Sequence, residues 1–158
     1  MAVDNSISIA IVRKEIADCG VDVDRYGWEF FEINEEGLSF TVKMFSPVDG
    51  EIYLIWIRFD NYKEWPLLID FVDPLNGQEG TKNAYPQCKN DGFFHGQALI
   101  CNPCSRKAYG NLKGPHPEWQ YAEWQTNPKT GALKNLRAIL LAINERIRRP
   151  ELYKGRMA

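Results

Sequence analysis

The chain has 158 residues, 44% of them hydrophobic and 13% aromatic, enough for one core and too much for a disordered or purely solvating segment. Its 19 basic and 21 acidic residues leave a net charge of −2, so the strong positive field that nonspecific phosphate binding needs is missing and no nucleic acid partner is expected. No run approaches the roughly 18 apolar residues of a membrane span, and the opening MAVDNSISIAIV has no basic stretch ahead of an apolar one, so no membrane is expected and the expected location is cytoplasmic.

The first expected element is a helix over 6–17, where Ile9, Val12 and Ile16 recur at helical spacing with Ile7 and Ile11 beside them, and Gly20 follows as a stop. Strands are expected next over 28–33, 38–45 and 52–59. In the second, Leu38, Phe40, Val42 and Met44 alternate toward one face. Asn34-Glu35-Glu36-Gly37 and Pro47-Val48-Asp49-Gly50 carry the turn chemistry that closes short hairpins, which makes the strands an antiparallel meander. Trp56 and Phe59 read as core. A fourth strand over 67–72 is ended by Pro74.

From 73 to 127 the chain is dense in Gly, Pro and Asn with little periodicity, far longer than an ordinary connection, which points to a functional loop. The last element is a helix after Gly131 and before Pro150, with Leu133, Leu136, Leu140, Ile143 and Ile147 on one face. N-terminal helix, four-stranded antiparallel meander, long loop and C-terminal helix make an α+β fold in a single domain over 1–158. Arg137, Arg146, Arg148, Arg149, Lys154 and Arg156 gather near the end and read either as a solvated helix face or as a docking patch.

Four cysteines without a secretion signal are too few for a disulfide scaffold in a chain this long; they read as reduced thiols, metal ligands or a nucleophile. Cys88, Cys101 and Cys104, with both histidines, His95 and His116, fall in the long loop. Two readings follow. In the first, Cys101 is a nucleophile held by the apolar pair Leu99-Ile100, with His95 placed to lower its pKa or orient it and Arg106 and Lys107 favouring the thiolate. A thiol suits acyl carriage because a thioester forms by exchange and stays reactive to amines.

In the second reading, Cys101-Asn102-Pro103-Cys104 is half of a zinc site, with Cys88, Cys104 and His116 as ligands joined by His95 or Cys101. Set against both, a cysteine after isoleucine is most often a small buried core residue. A redox role for the cysteine pair lacks the strand-to-helix context of that motif. Tyr62, Trp65, Pro66, His116, Pro117, Glu118 and Trp119 either line a partner groove or pin the loop to the body. Glu118 and Glu123 are candidate bases for an attacking lysine. Neither a phosphate-cradling glycine loop nor a Ser-His-Asp arrangement is present in the spacings.

The run Tyr53-Leu54-Ile55-Trp56-Ile57-Arg58-Phe59-Asp60-Asn61-Tyr62-Lys63-Glu64-Trp65-Pro66-Leu67-Leu68-Ile69-Asp70-Phe71 resembles the third strand, its exit and the fourth strand of ubiquitin-conjugating domains. Gly96-Gln97-Ala98-Leu99-Ile100-Cys101 resembles their segment in which a glycine shortly precedes an Ile-Cys or Val-Cys pair, the cysteine being the thioester nucleophile. Trp119 or Trp124 fills the place of the tryptophan that follows, and Pro150 that of the proline after the long helix. With the order of elements, these make nearly the whole chain similar to the divergent prokaryotic E2-like proteins that accompany E1-like activating enzymes, ubiquitin-like proteins and JAB-type peptidases.

The resemblance implies a UBC-like fold and an activity: Cys101 accepts a ubiquitin-like protein as a thioester from an E1-like enzyme and passes it to an amine of a target protein. It implies no required cofactor. The alternative is a noncatalytic binding module on the same fold, with a zinc-stabilised loop built from the Cys and His cluster of 88–116. The family's His-Pro-Asn tripeptide is absent. Its nearest stand-ins are Tyr85-Pro86-Gln87 and His95-Gly96-Gln97, so what replaces the asparagine amide is open at this point.

Overall fold

The structure is a computed structural model that describes residues 2–89, 91–94 and 98–158. Helix α1, Asn5–Ala17, starts where the Asp4 carboxylate accepts from the Ser6 N–H and so satisfies one of the unpaired donors of the first turn. A second helix, α2 (Gly20–Tyr26), follows after a break at Asp18 and Cys19 and ends at Gly27, whose φ of +72° only glycine adopts without strain. Local periodicity had given no sign of it, since it is a single short segment.

The sheet follows as expected in order and sense. Strands β1 (Glu29–Phe30), β2 (Ser39–Phe45), β3 (Ile52–Arg58) and β4 (Leu68–Val72) lie in sequence order, each antiparallel to the next. Phe40, Val42 and Met44 of β2 and Tyr53, Ile55 and Ile57 of β3 face the core, because alternate side chains of a strand point to one side. That parity corrects the reading of Trp56. It pairs with Thr41 and Asp70 on the outer face and is only half-buried, while Phe59, beyond the strand end, is fully buried. The first strand is also shorter than 28–33: Trp28 is buried, its indole N–H donating to the Asn144 side chain 3.0 Å away, and only two residues join the ladder.

Helix α3, Leu136–Arg148, is capped by Asn135, whose side chain accepts from the Ala138 N–H. Leu136, Ile139, Leu140, Ile143 and Ile147 bury its apolar face, with Leu133 packed against the core just ahead of it. Helix α1 follows the expectation in part: Val12 is buried and Ile9, Ile11 and Ile16 pack half-buried against the core, but Ser8 and Glu15 join the buried line and Ile7 is exposed. A buried carboxylate explains the difference. Glu15 accepts from the Tyr62 hydroxyl and the Leu136 backbone N–H, both at 2.7 Å, and faces the Lys63 ammonium at 3.0 Å, so one side chain ties α1 to the β3–β4 connection and to the first turn of α3.

The long loop holds two features that its composition concealed. Residues Pro86–Cys88 form strand β5, which pairs antiparallel with β6, Tyr153–Arg156, in the tail beyond α3. The loop also has its own apolar anchors, with Tyr85, Phe93, Phe94, Ile100, Cys104, Tyr109 and Trp124 buried in the same core as the sheet. Arg106 fastens its middle: the guanidinium donates to the Asp60 carboxylate, the Asp60 carbonyl and the Pro66 carbonyl, and lies over the rings of Trp65 and Tyr121. Arg106, expected to favour the thiolate, is therefore spent on Asp60.

The basic cluster near the C-terminus is largely paired. Arg137 meets Asp22, Arg146 meets Asp91, Arg149 meets Glu145 and Arg156 meets Glu51. Among the described residues no helix is long and apolar enough to cross a membrane.

Candidate active site

Cys101 stands at the end of a buried anchor. Ile100 is fully buried and bridges Phe94 in antiparallel fashion, and the Cys101 N–H donates to the Phe93 carbonyl at 2.8 Å, so the backbone at the cysteine is held on the side of the core. On the far side Asn102 turns the chain: its side-chain oxygen accepts from the Cys104 N–H at 2.9 Å and its amide donates to the Lys129 carbonyl at 3.0 Å. Downstream, the Arg106 N–H donates to the Leu67 carbonyl and the Tyr109 hydroxyl to the Pro103 carbonyl. The segment 100–109 is thus fastened at both ends, with the Cys101 thiol half-buried between.

The loop then returns to deliver a histidine. Gly110–Leu112 makes a tight turn, and the His116 N–H donates to the Ala108 carbonyl at 3.0 Å, with Tyr109 and His116 bridging in parallel. Gly114 lies on the backbone it turns over: a Cβ there would sit 2.3 Å from the Lys107 carbonyl oxygen, so no other residue fits without moving the 3-10 turn Arg106–Ala108 beneath. The return places His116 Nε2 3.1 Å from Cys101 Sγ. On the other side of the ring, Nδ1 lies 2.9 Å from the Glu118 carboxylate, and Trp119 stacks on the imidazole with ring centres 3.7 Å apart and planes 5° from parallel.

Cysteine, histidine and glutamate therefore stand in line, the carboxylate orienting a base and the base touching the thiol, which is the arrangement that activates a nucleophile. Burial pushes the Cys101 thiol above its ordinary pKa; Lys129 pulls it down and Glu118 pushes it up. The thiol is accordingly held protonated, and a neighbouring base is what would make it reactive. Hydrogen bonding to His116 holds the Glu118 carboxyl below the usual carboxylate range, which keeps it an acceptor for Nδ1–H. Beside the sulfur opens a cavity of about 480 Å³, walled by Phe93, Trp119, Lys129, Leu133 and Arg146.

Among the described residues, the other cysteines have no such partner. Cys19 and Cys104 are buried, and desolvation pushes each thiol up to about 12. Cys88 is half-buried against the Arg146 carbonyl, its thiol pushed by burial up to about 11. Among the described residues, no three His, Cys, Asp or Glu side chains gather where they would share a metal ion. Cys88 faces the Arg146 carbonyl, Cys104 is buried, and His116 uses one nitrogen on Cys101 and the other on Glu118.

Several expectations shift as a result. His95, the histidine expected beside the nucleophile, lies outside the described residues, as do Gly96 and Gln97. Among the described residues, the histidine that meets Cys101 is His116, which the sequence offered only as a zinc ligand or a groove residue. The signal that would have found it was present: one histidine two residues ahead of a glutamate, followed at once by a tryptophan. Tyr85, in one stand-in for the missing tripeptide, is committed to the core and donates its hydroxyl to Asp70 at 2.5 Å. Lys107, expected to favour the thiolate, pairs with that same Asp70. Trp65 is pinned between Arg106 and Tyr121, and Trp124 donates its indole N–H to the Lys63 carbonyl, so both hold the loop to the body. No known family model, curated protein or solved structure matches the chain.

Proposed function

We propose that the chain is an E2-like acyl carrier on a UBC-like fold: Cys101 takes a ubiquitin-like protein as a C-terminal thioester from an E1-like enzyme and passes it to an amine of a target. The observation that carries this reading is the 3.1 Å approach of His116 Nε2 to a half-buried Cys101 at the lip of a cavity. In loading, His116 takes the thiol proton as Sγ attacks the incoming thioester; the activator's sulfur leaves with the electron pair and is protonated in turn. Order of elements and the Ile100-Cys101 pair support the same reading through the resemblance described above.

The test is reconstitution with an E1-like enzyme, ATP and a ubiquitin-like protein. A reductant-sensitive adduct is expected on the wild-type chain and a reductant-stable ester on Cys101→Ser. An adduct pattern unchanged by that substitution places the nucleophile elsewhere and overturns the reading.

A second reading, a thiol hydrolase, is favoured by Glu118 on the far nitrogen of His116, since an oriented base serves water as readily as thiol chemistry. The two differ in what accumulates. A carrier holds the adduct until an amine arrives, whereas a hydrolase turns a thioester over to free acid.

A further inference from the structure

Resting on the reading of Cys101 as an acyl carrier, the geometry points to His116, held by Glu118, as the general base that moves the acyl group from Cys101 to a primary amine, so that discharge needs no separate ligase. Once the sulfur is acylated it has no proton to give, and Nε2 is left facing the reacting centre with a free lone pair. Glu118 decides which nitrogen that is: a carboxylate accepts from Nδ1 only if Nδ1 carries the ring proton, which leaves Nε2 the acceptor. Trp119, flat against the ring, fixes its plane. Tautomer and direction are both set before any acceptor arrives.

The step balances without a cofactor. The neutral amine attacks the thioester carbonyl carbon, a C–N bond forms, and the amine proton passes to Nε2. The C–S bond breaks, its electron pair leaves on Sγ, and the imidazolium returns the proton to that thiolate, restoring the Cys101 thiol and neutral His116. Glu118 stabilises the imidazolium in between, by charge and by hydrogen bond. Among the described residues, the other charged groups lining this cavity are Lys129, with its ammonium 5.9 Å from the Trp119 ring centre, and the ion pair of Arg146 with Asp91. The cavity of about 480 Å³ leaves room for a flexible amine chain beside the sulfur. The Asn102 amide is tied to the Lys129 carbonyl, which uses one of its two donors.

The probe is a short peptide thioester ending in Gly-Gly, which loads Cys101 by exchange without an activator. Wild type, His116→Gln and Glu118→Gln are loaded at alkaline pH, where the thiol ionises unaided, then moved to neutral pH with free lysine, and adduct decay and amide product are followed by mass spectrometry. General-base catalysis is worth about 10²–10⁴-fold, so His116→Gln is expected to discharge at least ~100-fold more slowly. Glu118→Gln, a positioning change, should slow discharge less and shift its pH profile, and added imidazole should restore part of the rate to His116→Gly, which a merely structural role would not allow. Discharge of His116→Gln at the wild-type rate overturns the inference and leaves the carrier reading standing, whereas a wild-type adduct that yields only free acid in the presence of lysine overturns the inference and favours the hydrolase over the carrier. A wild-type chain that forms no reductant-sensitive adduct at Cys101 overturns the carrier reading itself, and the inference with it.

Discussion

The imidazole of His116 lies 3.7 Å from the indole of Trp119, with the two planes only 5° apart, so a residue of a turn-rich loop has its ring held as firmly as a core side chain. Trp119 in turn meets Tyr109 edge-on at 5.7 Å, and Tyr109 is buried and bonded to the Pro103 carbonyl. The orientation of the base is thereby transmitted from the segment that carries the nucleophile.

Replacing Trp119 with Ala should free the imidazole. Aromatic pairs are worth about 0.5–1.5 kcal/mol beyond their area, so the rate of Cys101 alkylation by iodoacetamide at neutral pH is expected to fall by roughly two- to thirteenfold while the melting temperature changes little. A rate equal to wild type would mean that the stacking does not orient the base.

Lys129 sits at the same cavity and favours the Cys101 thiolate, whereas burial and Glu118 oppose it. Removing the cation in Lys129→Gln leaves the opposing effects, so the pKa rises and the midpoint of the alkylation pH profile moves to higher pH. At neutral pH the variant should react more slowly. Because Lys129 is exposed, the difference should shrink in high salt. A midpoint that moves down would contradict the sign.

Gly114 is required by contact. Its Cβ position falls 2.3 Å from both the Ala108 carbonyl carbon and the Lys107 oxygen, closer than any relaxation of a side chain can relieve. Overpacking of this kind costs about 1–3 kcal/mol, and Gly114→Ala should lose that much in urea unfolding while separating His116 from Cys101, seen as slower alkylation at neutral pH. Retained stability together with retained reactivity would show that the turn can be rebuilt.

Glu15 is a buried acid with a structural duty. Glu15→Ala leaves the Tyr62 hydroxyl and the Leu136 N–H without their acceptor and the Lys63 ammonium without its counter-charge. An orphaned buried donor costs about 1–3 kcal/mol, and the variant is expected to lose about 3 kcal/mol in urea unfolding, with the cysteine's reactivity largely kept because no α1 residue lines the loop cavity. A loss below about 1 kcal/mol would show that water replaces the carboxylate.

Much of the sheet was legible in the sequence because strand parity is local: Phe40, Val42 and Met44 declare their face through spacing alone, and Asn34 to Gly37 declares the turn before them. The same locality misled at Trp56, whose size suggested core although its parity with Tyr53, Ile55 and Ile57 already placed it on the outer face. On α1, spacing ranked Ile9 and Ile16 above Glu15, since a carboxylate becomes a core residue only when distant donors reach it.

The chain itself narrowed the search to three cysteines and two histidines in a loop too long to be idle, Cys101 among them, and it set the order of helix, meander, loop and helix. Tertiary structure alone decided which base meets that sulfur. His116 lies 15 residues away across a stretch without periodicity, and the two come together through Gly114 folding over Ala108 and Arg106 locking onto Asp60. It also decided that Pro86–Cys88 would find Tyr153–Arg156. Contacts of that range are chosen by the burial and hydrogen bonding of the whole fold, for which no repeating pattern along the chain is needed, and so none is left to read.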